Sequence, residues 1–307
     1  MSTTLKLADR PLLAELERAF QEGRAPDFAS ADVAGWVKVA DMLVQQGRLE
    51  AAEHAIRRLN VEFPDIEWAR TLCDLFEMMP PTTDGQVPFA DDFPKDVQIV
   101  PREGADIALL VFCGVKHRLG MPLPMSHRWL GRARASIVYL RDLKTDFYLG
   151  GVTSLGDRAA SIEALRQIVK DLGARRIVTF GNSSGGYGAL DYGMALGAEA
   201  AMSMSGQVNL TPEFNVHLGP ALTSRRLNDT YPGATLDLRD AILASTRPPR
   251  TWVVYGEDHW DDRLHAEHLA GLPQVTLRAV ERYKGHNTTL ELIRRGQFDD
   301  LVRELTA

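Results

Sequence analysis

The sequence predicts an α/β architecture: a mostly parallel sheet covered by helices on both faces, preceded by a small all-helical domain. Three observations carry that expectation. After Asp96, short runs that are apolar throughout alternate with helical stretches, the pattern of strands buried on both faces. The first eighty residues instead read as helices separated by short breaks, with no convincing strand. In the second part, Arg175-Arg176 and the short apolar, β-branched run 177–180 lead through Gly181-Asn182-Ser183-Ser184-Gly185-Gly186 into a small-residue helix. Strand, sharp turn and helix thus follow one another without a loop.

In the helical part, Trp36, Val39, Ala40 and Leu43 share one face of a first helix, and Gly47 breaks it. A second helix begins at Leu49, runs through Ala52 and Ile56, and ends before Pro64. This spacing resembles a tetratricopeptide repeat of about 34 residues, with Trp36, Ala52, Ile56 and Pro64 at its marked positions. Residues 10–22 and 65–79 supply flanking helices. Repeat arrays need three or more copies to bury a continuous core, and one copy is legible. The segment is therefore read as a helical bundle packed onto the second domain, with a protein partner or self-association through these helices as the alternative. His54 reads as a surface residue. Paired prolines and turn formers at 80–85 stop the last helix, which sets domains at 1–85 and 86–307.

In the second domain, strands are expected at 97–100, 106–113, 136–140, 176–181, 200–204, 251–255 and 275–280, and helices at 157–172, 261–271 and 288–304. Reactive groups of such sheets gather at the carboxyl ends of the strands, where Ser183 falls. Glycines at 181 and 185 carry no Cβ, so strand and helix can approach closely while Ser183 is held in strained geometry with its hydroxyl lifted clear. With 25 glycines in the chain, a chance Gly-x-Ser-x-Gly is uncommon rather than negligible, and context has to decide. That context resembles the α/β-hydrolase family, whose elbow often reads Gly-x-Ser-x-Gly-Gly as here. The resemblance covers residues 95–307.

A serine hydroxyl becomes a nucleophile when an imidazole takes its proton and a carboxylate orients that imidazole. The resemblance implies the chain order Ser, acid, His. His286 lies in Tyr283-Lys284-Gly285-His286-Asn287, after the last expected strand and before a Thr288-x-x-Glu291 capping box. No other of the eight histidines has this placement. The strand 251–255 ends in Gly256-Glu257-Asp258-His259, which resembles the family's acid loop. Asp258 is the expected acid, with Asp261 in reserve and Glu257 third. The oxyanion donors are expected to be the backbone N–H groups of Ser184 and of Val115. Val115 follows Cys113-Gly114, where the family often has His-Gly.

Other groups are assigned no chemistry. Asp261, Asp262, His265 and His268 read as a solvated helix face rather than a metal site, and no metal or cofactor is expected. Lys116-His117-Arg118 fits an anion-attracting loop and an ordinary charged surface equally well. Cys73 and Cys113 read as buried thiols. Residues 206–250 are long enough for a small lid over Ser183. The net charge of −6 argues against nucleic acid, no apolar run approaches membrane-spanning length, and residues 1–10 lack a signal core. A cytoplasmic protein is expected. The function expected is cleavage or transfer of a small-molecule acyl group through an acyl-Ser183 intermediate, of the esterase, thioesterase or acyltransferase type. The alternative is a non-enzymatic interaction protein that uses a hydrolase-like scaffold.

Overall fold

The computed structural model describes residues 9–83, 85–215 and 221–307. The chain's first eight residues, Asp84 of the expected linker, and His217 and Pro220 of the expected lid lie outside them. The chain divides into two compact units. One runs to Pro94 and includes Met121–Arg132; the other comprises Lys95–Gly120 and Ala133–Ala307.

The first unit is helical: α1 (Arg10–Gln21), α2 (Val33–Gln45), α3 (Leu49–Glu62), α4 (Glu67–Met78) and α5 (Leu123–Leu130). Asp32 caps α2, its carboxylate accepting the Gly35 N–H at 2.8 Å. Gly47 ends it in a left-handed conformation, φ 70°, that a side chain would strain. Trp36, Ala52 and Ile56 are fully buried, and the Trp36 indole donates to the Phe28 carbonyl at 3.1 Å. The unit extends beyond residue 85 because the segment after the prolines is tied to α5. Gln86 donates to the His127 carbonyl at 3.0 Å, and the His127 ring meets the Val87 carbonyl at 2.8 Å. The sequence pattern did not reveal α5, an eight-residue helix that starts at a proline-flanked leucine.

The second unit is built on seven strands, β1 (Val97–Val100), β2 (Ile107–Phe112), β3 (Ala135–Leu140), β4 (Arg176–Asn182), β5 (Ala200–Met204), β6 (Arg250–Gly256) and β7 (Val275–Val280). Their order is β1-β3-β2-β4-β5-β6-β7. All neighbours are parallel except β1, which runs antiparallel to β3. The helices are α6 (Arg158–Asp171), α7 (Ser184–Leu196), α8 (Ala221–Thr230), α9 (Leu238–Ala244), α10 (Trp260–His268), α11 (Thr288–Arg294) and α12 (Phe298–Thr306). The single helix expected over 288–304 is two, because Gly296 takes φ 66° between them.

Alternation along β4 shows how both faces are covered. Thr179 points to one side, its hydroxyl donating to the Ala189 carbonyl of α7 at 2.7 Å. Phe180 points to the other and meets Phe298 of α12 edge to face at 6.0 Å. On the α7 side, Ala108, Leu110 and Phe112 of β2 pack with Leu165 of α6 and Ala189 and Tyr192 of α7. Each such large buried side chain contributes about 1.5–3 kcal/mol. The segment after β5 is packed rather than loose: Val208, Leu210, Leu236, Leu238 and Ile242 share a buried cluster with Tyr187 and Leu190 of α7.

The chain order places β2 and β4 side by side, so their carboxyl ends open at one point where the strand order reverses. Two positions of the turn there admit no side chain. A Cβ on Gly181 would lie 1.9 Å from the Gly185 carbonyl oxygen, and one on Gly185 would lie 2.1 Å from the Phe112 carbonyl oxygen. Gly185→Ala should therefore lower stability by about 3 kcal/mol or more, measured by urea denaturation. An unchanged midpoint would mean that β2 and α7 are not this close.

Candidate active site

Ser183 stands between β4 and α7 at φ 55°, ψ −127°, a region that a non-glycine residue occupies only where its surroundings impose it. Here they do. The Ser183 N–H donates to the Met204 carbonyl at 2.8 Å, and the Gly186 N–H donates to the Ser183 carbonyl at 2.8 Å. The loop after β2 closes on the same turn: a Cβ on Gly114 would lie 2.9 Å from the Asn182 carbonyl oxygen and 3.2 Å from the Ser183 Cβ. Val115, the next residue, is exposed. The Ser184 N–H opens α7, at the positive end of the helix dipole.

The loop between β7 and α11 carries His286. Asn287 fixes its far end by donating to the Gly120 carbonyl at 2.8 Å and accepting the Leu290 N–H at 3.2 Å. The cap of α11 is thus Asn287, one residue before the expected capping-box threonine. Thr288 instead shares a hydrogen bond with the buried Ser205 hydroxyl at 2.9 Å. In this position His286 places Nε2 2.9 Å from Ser183 Oγ and Nδ1 2.8 Å from Asp262 Oδ1. A carboxylate can only accept, so Nδ1 carries the proton, and Nε2 is left to accept from the serine hydroxyl.

The carboxylate at His286 is not the one the sequence suggested. Asp258 is exposed on the turn after β6, where its N–H donates to the Tyr283 carbonyl at 3.0 Å. Glu257 accepts the Arg282 N–H at 2.7 Å. Asp261 lies 3.7 Å from His265. Asp262 is buried and reaches His286 because α10 begins only after His259, so its first turn carries the third residue past the cap inward while Asp258 stays in solvent. The signal for this was the His259-x-x-Asp262 spacing of a helix start; the family habit of an acid on the strand-end turn concealed it.

The same helix corrects a second expectation. Asp262 and His265 are buried, so this is no solvated face. His265 accepts the Val208 N–H on Nδ1 at 3.4 Å, and burial pushes its pKa down to about 4. His268 binds Asp237 at 2.8 Å. Burial and the neighbouring Asp262 raise the Asp261 carboxyl. Asp262 holds His286 above the ordinary imidazole value through their hydrogen bond, against the opposing effect of burial. Among the described residues, ligand atoms of His259, Asp262 and His286 lie within 4.8 Å of one another. With Nδ1 of His286 turned to Asp262, a divalent ion would bind there only by replacing that proton.

A crystal structure of 2,6-dihydroxy-pseudo-oxynicotine hydrolase aligns with 97% of this chain and 95% of its own, with a TM-score of 0.52 and 15% identity. The chain has the α/β-hydrolase fold. Smaller shares of the hydrolase fold align elsewhere. An S-formylglutathione hydrolase from Agrobacterium tumefaciens covers 69% of this chain and 90% of its own, with a TM-score of 0.43 and 15% identity. An alpha/beta hydrolase enzyme from a lagoon-sediment metagenome covers 68% and 92%, with a TM-score of 0.42 and 13% identity. No family model and no curated protein matches the sequence. No helix of the described residues is long and apolar enough to cross a membrane.

The His286–Asp262 bond makes a prediction that does not depend on catalysis. Followed by NMR, His286 should titrate above the ordinary value of about 6.5, and Asp262→Asn should bring it back to that value or below. Asp258→Asn should leave it in place. A His286 titration that responds to Asp258 and not to Asp262 would contradict the geometry.

Proposed function

We propose that the chain is a serine hydrolase that cleaves or transfers an acyl group through an acyl-Ser183 intermediate. The observation that carries this reading is the chain of two hydrogen bonds from Ser183 through His286 to Asp262, 2.9 and 2.8 Å long, on a turn that offers its hydroxyl at the mouth of the sheet. In this reading His286 takes the serine proton as Oγ attacks the acyl carbon. Asp262 keeps Nδ1 protonated and stabilises the imidazolium. The N–H groups of Ser184 and Val115 receive the developing oxyanion. Protonated His286 then gives its proton to the leaving alcohol, thiol or amine, and an incoming water or acceptor alcohol repeats the sequence in reverse. In this reading the described residues of the 206–250 segment, which pack on Tyr187 and Leu190 of α7, form the small cover over the substrate. The helical unit is a packed bundle with a protein partner or self-association as its alternative role, and the protein works in the cytoplasm.

Hydrolysis of p-nitrophenyl esters of increasing chain length tests this reading. Ser183→Ala and His286→Ala should each lower kcat by about 10⁴-fold or more, and Asp262→Asn by on the order of 10³–10⁴-fold. Asp258→Asn, at an exposed side chain on the turn after β6, should stay within about twofold of the parent. Since the base must be neutral and Asp262 raises its pKa, activity should climb with pH through a midpoint above about 6.5. Esterase activity that survives Ser183→Ala, or no turnover of any acyl substrate, would overturn the proposal.

A further inference from the structure

We infer that His259 is a positioning residue that sets the triad carboxylate through the backbone of α10; the inference rests on the serine-hydrolase reading of Ser183, His286 and Asp262. His259 is the N-cap of α10, and its Nδ1 accepts the Asp262 N–H at 3.2 Å. The same nitrogen stands 3.3 Å from Asp262 Oδ1, the oxygen that receives the His286 proton at 2.8 Å. The two rings lie 5.5 Å apart, tilted by 42°. Serine, threonine, aspartate and asparagine are the usual caps, so helix stability alone gives no reason for a histidine here.

The second oxygen of Asp262 makes this cap consequential. Asp262 Oδ2 is buried and has no hydrogen-bond partner among the described residues. The carboxylate is thus steered by its bond to His286 at one end and by its own backbone at the other, and His259 holds that backbone. An imidazole nitrogen either accepts or donates. While Nδ1 accepts the Asp262 N–H, His259 is neutral with its proton on Nε2, and Oδ1 belongs to His286 alone. A proton on Nδ1 would cancel the cap and bring a second donor to Oδ1 in competition with His286. His259 therefore acts through Asp262, without touching the reacting atoms.

The test compares His259→Ala, which removes the acceptor, with His259→Asn, whose side-chain oxygen can cap the same N–H. For the full-length protein on a p-nitrophenyl ester, His259→Ala should lower kcat about tenfold with KM unchanged, and His259→Asn should return it to within about threefold of the parent. The far-downfield proton NMR signal of the His286–Asp262 bond should weaken in His259→Ala and reappear in His259→Asn, with thermal midpoints recorded alongside. A parent-like kcat and signal in His259→Ala would overturn the inference. So would a His259→Asn protein as stable as the parent yet as impaired as His259→Ala. The signal can also be read in a Ser183→Ala background, so a protein that hydrolyses nothing but shows this loss and rescue would defeat the hydrolase reading and leave the positioning role standing.

Discussion

Two carbonyl oxygens govern the sheet-bearing unit of this molecule. Those of Gly185 and Phe112 occupy the space that a side chain at Gly181 or Gly185 would need, so β2, β4 and α7 meet backbone to backbone. That approach leaves Ser183 no relaxed conformation, and its positive φ follows from the packing around it. Strain of this kind costs on the order of 1–3 kcal/mol. It is sustained by the apolar contacts of α7 with the sheet, each large buried side chain being worth about as much. In return the hydroxyl is fixed at the end of a rigid strand, where the loop bearing Gly114 and the loop bearing His286 can reach it.

Electrostatics then depend on one buried carboxylate. Asp262 is withdrawn from solvent, and a buried charge without a partner costs several kcal/mol. His286 supplies that partner, and its proton is correspondingly harder to remove. Asp261 follows a different course: burial and the nearby Asp262 charge favour its protonated form. Two adjacent acids on one helical turn thus differ in their surroundings: Asp262 meets the His286 ring at 2.8 Å, and Asp261 stands 3.7 Å from that of His265.

Much of this was legible in the sequence, and the misses have physical causes. Strands buried on both faces leave apolar runs, so β2 to β6 could be placed to within a residue or two. The elbow needs glycines at fixed offsets and His286 sits between a strand and a helix start, so both left marks in the residue pattern. Asp262 left a fainter one. Its role depends on which way the first turn of α10 rotates, and that is settled by His259 accepting a backbone N–H rather than by any run of residue types. The antiparallel pairing of β1 with β3, the helix α5 and the break at Gly296 depend on tertiary pairing or on a single left-handed residue. Hydrophobic periodicity carries none of these.

The claim on which everything rests is that a single hydroxyl is made nucleophilic by its place in the fold. The most direct measurement is to treat the intact protein with a fluorophosphonate and locate the adduct by peptide mass spectrometry. The account predicts one equivalent of phosphonate, carried on Ser183. An adduct on another serine, or a protein that remains unmodified while folded, would contradict it.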